Sequence, residues 1–492
     1  MKNECVSSTG FPTLNGIHQQ REHLQSIVSA ITSATDPYRL LTERLTLESP
    51  NDVLTFDGHP VSGVSNQAVE LKQTGRVCVV GGGKAAAGFA AGLEHLLGKE
   101  RLQKHRVHGL VSVPEGCAVQ LDHVELRETR ARGNNLPTEA VIRATHEMLK
   151  QLRSLEQDDL AFVLVTGGAS ALLESPRAPF SLQALAALTK NLSNAGVEIE
   201  TLNAIRCMAS NVKAGGLANS CTAGRLIVLV LSDVLDNSLK VIGSGPCAPH
   251  TIKRSAIEQV LFDPNIPQYD RRIISEVARE YSKEHDVFSP SKKFSSNWVT
   301  PRGCRVTHLM LGTNALAVEA ATAASSALGY KIFSTTTSTD SQTANRVGSR
   351  LAASLITMSS LDATRNYPQA LLEGGEATVR VPSKHGVGGR NQHTVVAAAH
   401  DILIHQKRTW PTGTLIASFG TDGEDGPTSA AGGFIDSDIA ESLGTNPNSI
   451  ADAIYGCNSY ELLKSAGGLI ETGPTGTNVA DIRIVLTQPT SD

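Results

Sequence analysis

Arg76 and the short apolar run Val77-Cys78-Val79-Val80 lead directly into Gly81-Gly82-Gly83-Lys84 and then into an alanine-rich stretch ending near Leu97. This junction constrains the fold more than any other segment. An uninterrupted apolar run of this length predicts a strand buried on both faces. The glycines predict a tight turn whose backbone N–H groups face a ligand at the start of a helix. The partial positive charge of that helix end, with Lys84 at its rim, makes an anion site. It is not a G-x-x-x-x-G-K-[ST] phosphate loop, because no Ser or Thr follows Lys84 and the glycine spacing is absent. Gly81, Gly83 and Ala86 also fit G-x-G-x-x-A, the pattern of a dinucleotide-binding reductase, and a turn that needs small residues would account for them as well.

The same alternation recurs along the chain. Strands are expected at 108–113, 161–165 and 226–231, separated by helices at 138–154 and 182–194. That order implies a mostly parallel sheet covered on both faces, a Rossmann-like α/β unit. With 492 residues the chain is too long for one ordinary domain. Between about 253 and 301 the pattern turns polar and then Ser/Lys-rich, which places a boundary there, with domains at 1–285 and 286–492. The second, smaller domain reads as α/β again. Its strands are expected at 306–311, 331–335, 369–372, 378–381, 414–419 and 482–486, with a helix at 315–328 and another ending near Met358.

In such sheets ligands sit beyond the carboxyl ends of the strands, so the loops there carry the chemistry. Thr166-Gly167-Gly168-Ala169-Ser170 is a second glycine-rich cradle, in which Gly167, Gly168 and Ser170 are candidate binding residues. Asp233 emerges from the most apolar strand, where a carboxylate is costly unless paired or metal-bound. Glu373-Gly374-Gly375-Glu376 follows a further strand, and Gly388-Gly389-Arg390-Asn391-Gln392 presents an arginine suited to holding phosphate or carboxylate. Asp422, Glu424 and Asp425 crowd one glycine-bounded loop, as expected for Mg²⁺ or a general base, although an ordinary solvated turn would explain any one of them. Thr475 and Asn478 lie in a turn rich in glycine and hydroxyls. One lysine, one arginine, several carboxylates and these loops fit phosphoryl transfer, where positioning and charge stabilisation supply most of the catalysis. A Ser-His-Asp hydrolase of the G-x-S-x-G type is excluded, because that elbow is absent.

A formal charge of −4 without a long basic stretch argues against nucleic-acid binding. Without an apolar run near 18 residues or a leader-like start, the expectation is a cytoplasmic protein that does not enter a membrane. The eight cysteines are scattered without a C-x-x-C pair and read as buried thiols.

The segments VVGGGKAAAG, LVTGGASALL, LSDVLDNSLKVIGSGP, GGEATV, GVGGRNQH, FGTDGEDGPTSAAG and TGPTGTNVADIRI, taken together, resemble the class II glycerate kinases, whose C-terminal part is called the MOFRL domain. The resemblance spans Val77 to Asp481. It implies ATP-dependent phosphorylation of D-glycerate, usually to 2-phosphoglycerate, with Mg²⁺ and an active site in the cleft between the domains. Carried over by position, it implies catalytic roles for Lys84, Asp233, Arg390 and Asp422. Gly81, Gly82, Gly83, Gly167, Gly168, Ser170, Lys213, Asn391, Thr475 and Asn478 are the expected substrate or nucleotide contacts. Asp233, Glu376 and Asp425 are the expected metal ligands. The family commonly has a basic residue where this chain has Cys207, and many bacterial members read G-H-P where this chain has Asn134-Asn135-Leu136-Pro137. The alternative chemistry is NAD(P)H-dependent reduction of hydroxypyruvate. A monomer and a homodimer are both compatible with the sequence.

Overall fold

The computed structural model describes residues 19–63, 67–131, 136–249, 254–284, 295–338, 342–362 and 367–488. The expected boundary at 285/286, most of the Ser/Lys-rich stretch around it, and Asn134 and Asn135 of the departure at 134–137 lie outside the described residues. The chain forms two compact units that depart from a single cut at that boundary. One comprises Pro37–Leu231 and Asn237–Leu311, the other Met1–Asp36, Ser232–Asp236 and Gly312–Asp492.

In the first unit the sheet is built on Val77–Gly82, His108–Pro114, Val124–Arg130, Leu160–Val165 and Arg225–Leu231. Numbered by chain order, these five strands lie 3-2-1-4-5, with every pairing among them parallel. That is the doubly wound order, and its switch point falls between Val77–Gly82 and Leu160–Val165. Both of those strands are buried along their whole length, so their continuous apolar sequence has a direct cause. At Gly81 (φ +146°) an added Cβ would run into the Leu164 carbonyl, and at Gly83 (φ +142°) into the Thr166 hydroxyl. Glycine is therefore required at both positions by the close approach of the neighbouring strand.

Two features of this unit depart from the sequence reading. Val124–Arg130 was not anticipated, because its edge position leaves charged residues exposed along a strand that lacks apolar alternation. Arg305–Gly312, expected in the second domain, instead neighbours Arg225–Leu231 in this sheet, and Asn297–Val299 pairs antiparallel on its outer side. An apolar run states that it is buried, not in which sheet. Cys207 packs in a helical cluster with Leu185, Leu188, Ile205 and Ile274, which makes it a core residue. Cys78, Cys207, Cys221, Cys247 and Cys304 are buried as expected, whereas Cys117 and Cys457 are partly exposed. Cys5 lies outside the described residues.

The second unit has a six-stranded sheet in which Lys331–Thr337 is parallel to Gln369–Gly375. The remaining pairings, through Asp481–Thr487, Thr414–Gly420, Gly432–Asp436 and Leu469–Ile470, are antiparallel. It is thus a mixed α/β layer rather than a second parallel sheet. The expected strand at 378–381 shrinks to Ala377–Thr378, paired with Gln342–Thr343. Helix Gln19–Ala34 belongs to this unit, although it lies at the opposite end of the sequence. It buries Leu24, Ile27, Val28 and Ile31, and Arg21 pairs with Asp436 at 2.6 Å.

The interior of this sheet holds a charged triad. Glu373, 3% exposed, stands directly opposite Arg483 in the antiparallel ladder and pairs with it, while Arg350 reaches it from helix Ala344–Asp362 (Nη2 to Oε1, 2.7 Å). Burial pushes the Glu373 carboxyl up. The hydrogen bond from Arg350 and the charges of Arg483 and Arg350 outweigh burial and hold it below its usual value. A depressed carboxylate contributes stability above its unfolded pKa, about 4.3, and loses that contribution as pH falls through the lower folded value. Glu373→Gln should therefore lower unfolding free energy at pH 7 by about 3 kcal/mol. The gap from the parent should close at acidic pH, as followed by urea denaturation and circular dichroism. Equal stability at pH 7 would contradict the triad's role.

Candidate active-site groups

In the first unit the loops at the switch point are stitched together by the backbone. Gly83 N–H donates to the Ser112 carbonyl at 3.2 Å, Lys84 N–H to the Gly167 carbonyl at 2.9 Å, and Ala85 N–H to the Thr166 hydroxyl at 3.1 Å. Gly81, Gly82, Gly83 and Gly167, expected as ligand contacts, are buried in this packing beside the start of helix Ala86–Lys104, and Gly168 is the partly exposed one among them. Gly168 (φ +82°) leaves space beneath the Lys84 stem: a Cβ there would lie 3.5 Å from Lys84 Cγ and 4.0 Å from Arg130 Nη2. Arg130, buried at the carboxyl end of its strand, brings a second cation to the Gly168 turn. It was missed because its strand was missed.

Lys213 takes a different part from the expected one. Its side chain is 1% exposed, and its ammonium sits 3.2 Å from Glu174 Oε2 and donates to the Ser170 carbonyl (2.9 Å) and hydroxyl (3.4 Å). An ammonium has three donors, and these contacts engage all of them. Glu174, equally buried, also accepts from the Ser210 hydroxyl at 2.6 Å and the Ser175 N–H at 3.0 Å. Lys213 thus braces the Ser170 loop, with its donors engaged inside the protein. Ser170 Oγ in turn meets Ser244 Oγ at 2.8 Å.

In the second unit Arg390 opens helix Arg390–Ala399 behind the extended Gly389. The helix is capped from a distant loop: Asp425, 1% exposed, accepts Asn391 N–H at 3.0 Å and Gln392 N–H at 2.8 Å. A Cβ at Gly389 would collide with that carboxylate. Burial pushes the Asp425 carboxyl up to about 7, against the pull of those two N–H bonds. Asn391, 1% exposed, accepts from the Ser418 hydroxyl at 2.6 Å and donates to Asp425. Both were expected to touch ligand or metal, and both are instead buried positioning groups.

Arg390 Nε and Nη2 donate to Asp481 Oδ2 and Oδ1 at 2.7 and 2.8 Å, and Nη1 lies 3.0 Å from Glu376 Oε1. Asp481 is fully buried at the head of its strand, and its carbonyl accepts from Asn314 Nδ2 at 3.1 Å. It was overlooked as a site residue, although an acid placed immediately before an apolar run was a visible signal. Asp233, expected in the N-terminal domain, belongs to this unit, where Asn478 Nδ2 donates to its Oδ2 at 3.4 Å. Asp422 Oδ1 accepts Glu424 N–H at 3.0 Å, and Thr475 Oγ1 donates to the Thr421 carbonyl at 2.6 Å, which ties the two loops together. Partial burial pushes the Glu376 carboxyl up. Arg390 opposes that shift, and the charges of Asp481, Asp233 and Asp422 add to it.

Asp233 and Asp422 add their negative charge to that of Glu376 and Asp481 in this part of the unit. Hard oxygen donors suit Mg²⁺, which keeps several waters and binds through one or two carboxylates plus phosphates. Among the described residues no three His, Cys, Asp or Glu side chains gather to hold a metal by themselves. Asp425, expected as a metal ligand, spends its carboxylate oxygens on the helix N–H groups, and Glu376, also expected as one, lies against Arg390. Also among the described residues, no helix is long and apolar enough to cross a membrane.

Two family models match the chain, the domain of unknown function DUF4147 over residues 23–275 and the MOFRL family over residues 369–481. A glycerate 2-kinase of Pyrococcus horikoshii is 30% identical, covering 94% of this chain and 96% of that protein. A D-glycerate 2-kinase of Thermotoga maritima is 33% identical, covering 84% and 90%. The crystal structure of a glycerate kinase from Thermotoga maritima superposes with a TM-score of 0.70 at 29% identity, over 95% of this chain and 99% of that one. Both domain models in this order, with relatives matched over nearly their whole length, establish that the chain belongs to the DUF4147–MOFRL family of class II glycerate kinases.

Proposed function

We propose that this chain transfers the γ-phosphoryl group of ATP to the 2-hydroxyl of D-glycerate, giving 2-phosphoglycerate and ADP, with Mg²⁺ as the metal. The observation that carries this reading is the near-full-length match to a glycerate 2-kinase, joined to a charge distribution suited to phosphoryl transfer. The glycerate hydroxyl oxygen attacks the γ-phosphorus, the bond from that phosphorus to the β,γ-bridging oxygen breaks, and ADP leaves. Of Asp233 and Asp422, one takes the hydroxyl proton and the other holds Mg²⁺. The ion, when bound, offsets the negative charge of the phosphates. Lys84 and Arg390 meet the anionic groups of the two substrates, the transferring phosphoryl group and the glycerate carboxylate. Gly81 and Gly83 let the turn that carries Lys84 pack against the neighbouring strand, and Gly168 leaves the space beside the Lys84 stem in which a phosphate is received.

The test mixes purified protein with ATP, Mg²⁺ and D-glycerate, adds enolase without phosphoglycerate mutase, and follows phosphoenolpyruvate by ultraviolet absorbance. Signal that requires all three small molecules is expected. Signal that appears only after mutase is added would move the attack to the 3-hydroxyl. Oxidation of NAD(P)H by hydroxypyruvate, with no kinase signal, would overturn the reading.

Asp233→Asn and Asp422→Asn should each lower kcat by about 10²-fold or more. The variant that has lost the metal ligand should regain part of its rate at raised Mg²⁺, and the one that has lost the base should not. Equal rescue of both would remove the division of roles.

Lys213→Met should lower stability by about 3 kcal/mol by stranding the buried Glu174. Lys213→Met combined with Glu174→Gln should recover most of that loss in urea denaturation. Unchanged stability of the single variant, with a raised KM, would restore Lys213 as a ligand contact.

A further inference from the structure

The two carboxylates on Arg390 differ in kind. Asp481 is fully buried, takes both Nε and Nη2, and has its carbonyl held by Asn314. Removing its partner would leave a buried charge uncompensated, so this contact is permanent. Glu376 makes a single contact at Nη1, and its side chain is 47% exposed. It lies between strands Gln369–Gly375 and Ala377–Thr378 and feels the negative charges of Asp481, Asp233 and Asp422. A half-exposed ion pair contributes little net stability, and these like charges weaken this one further. With Asp481 occupying one side of the guanidinium, Nη1 is the edge that remains for an incoming oxyanion, and Glu376 stands on it.

We propose that Glu376 is an exchangeable counter-ion, displaced from Arg390 when the carboxylate or phosphate of a substrate arrives, and that Asp481 is the positioning residue that restricts Arg390 to that edge. The proposal rests on the reading that Arg390 receives a substrate anion. It removes Glu376 from the metal ligands and makes it an internal competitor of the substrate. A competitor of this kind keeps the guanidinium paired while the site is empty. Its neutral isostere should therefore improve binding rather than impair it.

Two measurements separate this proposal from the kinase reading. Inorganic phosphate is titrated calorimetrically into the parent, Glu376→Gln, Arg390→Lys and the double variant, with circular dichroism melts to verify folding. Glu376→Gln should bind phosphate about five-fold tighter, the equivalent of about 1 kcal/mol, and the gain should vanish in the Arg390→Lys background. Equal or weaker binding by Glu376→Gln, or a gain that survives in that background, overturns the proposal whether or not the protein phosphorylates glycerate. With turnover, the KM values for D-glycerate and ATP are measured separately. A fall in the first identifies the anion as the carboxylate, and a fall in the second identifies it as phosphate. Asp481→Asn should raise the KM of that same substrate and lower kcat. A hundred-fold loss of kcat in Glu376→Gln with both KM values unchanged would make Glu376 a catalytic residue and end the proposal.

Discussion

Arg390 is fixed from behind by two hydrogen bonds to a carboxylate that water does not reach, and the arrangement of the second unit's site follows from that contact. Asp481 heads a strand that lies between two antiparallel neighbours, so its position is as rigid as the sheet. Asp425 fixes the helix that carries Arg390, by accepting the N–H groups of Asn391 and Gln392. The arginine is therefore oriented twice, through its backbone and through its guanidinium. Such preorganisation lets a charged group act without reorganising at the moment of reaction.

The first unit follows a parallel logic with different chemistry. There the constraint is steric: Gly81 and Gly83 let the turn lie against the neighbouring strand, and the Lys84 N–H then reaches the Gly167 carbonyl. The buried Lys213–Glu174 pair braces the loop that follows. A buried ion pair in the first unit and a buried carboxylate in the second support the more exposed groups, so part of the charge along the chain is structural. Treating every lysine, aspartate or asparagine near a glycine loop as a ligand contact overlooks this division.

How far the sequence could be read depended on what kind of signal each residue carries. Strands buried on both faces, such as Val77–Gly82 and Arg225–Leu231, were legible because they are apolar throughout. Val124–Arg130 was not, since an edge strand can expose its charges. The strand Arg305–Gly312 was recognised as an element but lies in the first unit's sheet rather than the second's, because hydrophobicity names no partner. Lys84, Asp233, Arg390 and Asp422 stood out by their places in loops. Lys213, Asn391 and Asp425 stood out equally, and their donors and acceptors are engaged inside the protein. Residue type at a motif position does not reveal whether its donors and acceptors are already satisfied. Asp481 and Arg130 were passed over for the converse reason, since strand ends attract less attention than glycine loops.

The family relationship and the distribution of charge converge on phosphoryl transfer to a hydroxy acid. Phosphorus-31 NMR of the protein with ATP, Mg²⁺ and D-glycerate observes that transfer directly. The account predicts that the γ-phosphate resonance of ATP declines as ADP accumulates and an equal amount of phosphomonoester coupled to the C2 proton of glycerate grows in. ATP left intact, or hydrolysed only to inorganic phosphate with no phosphomonoester, would contradict it.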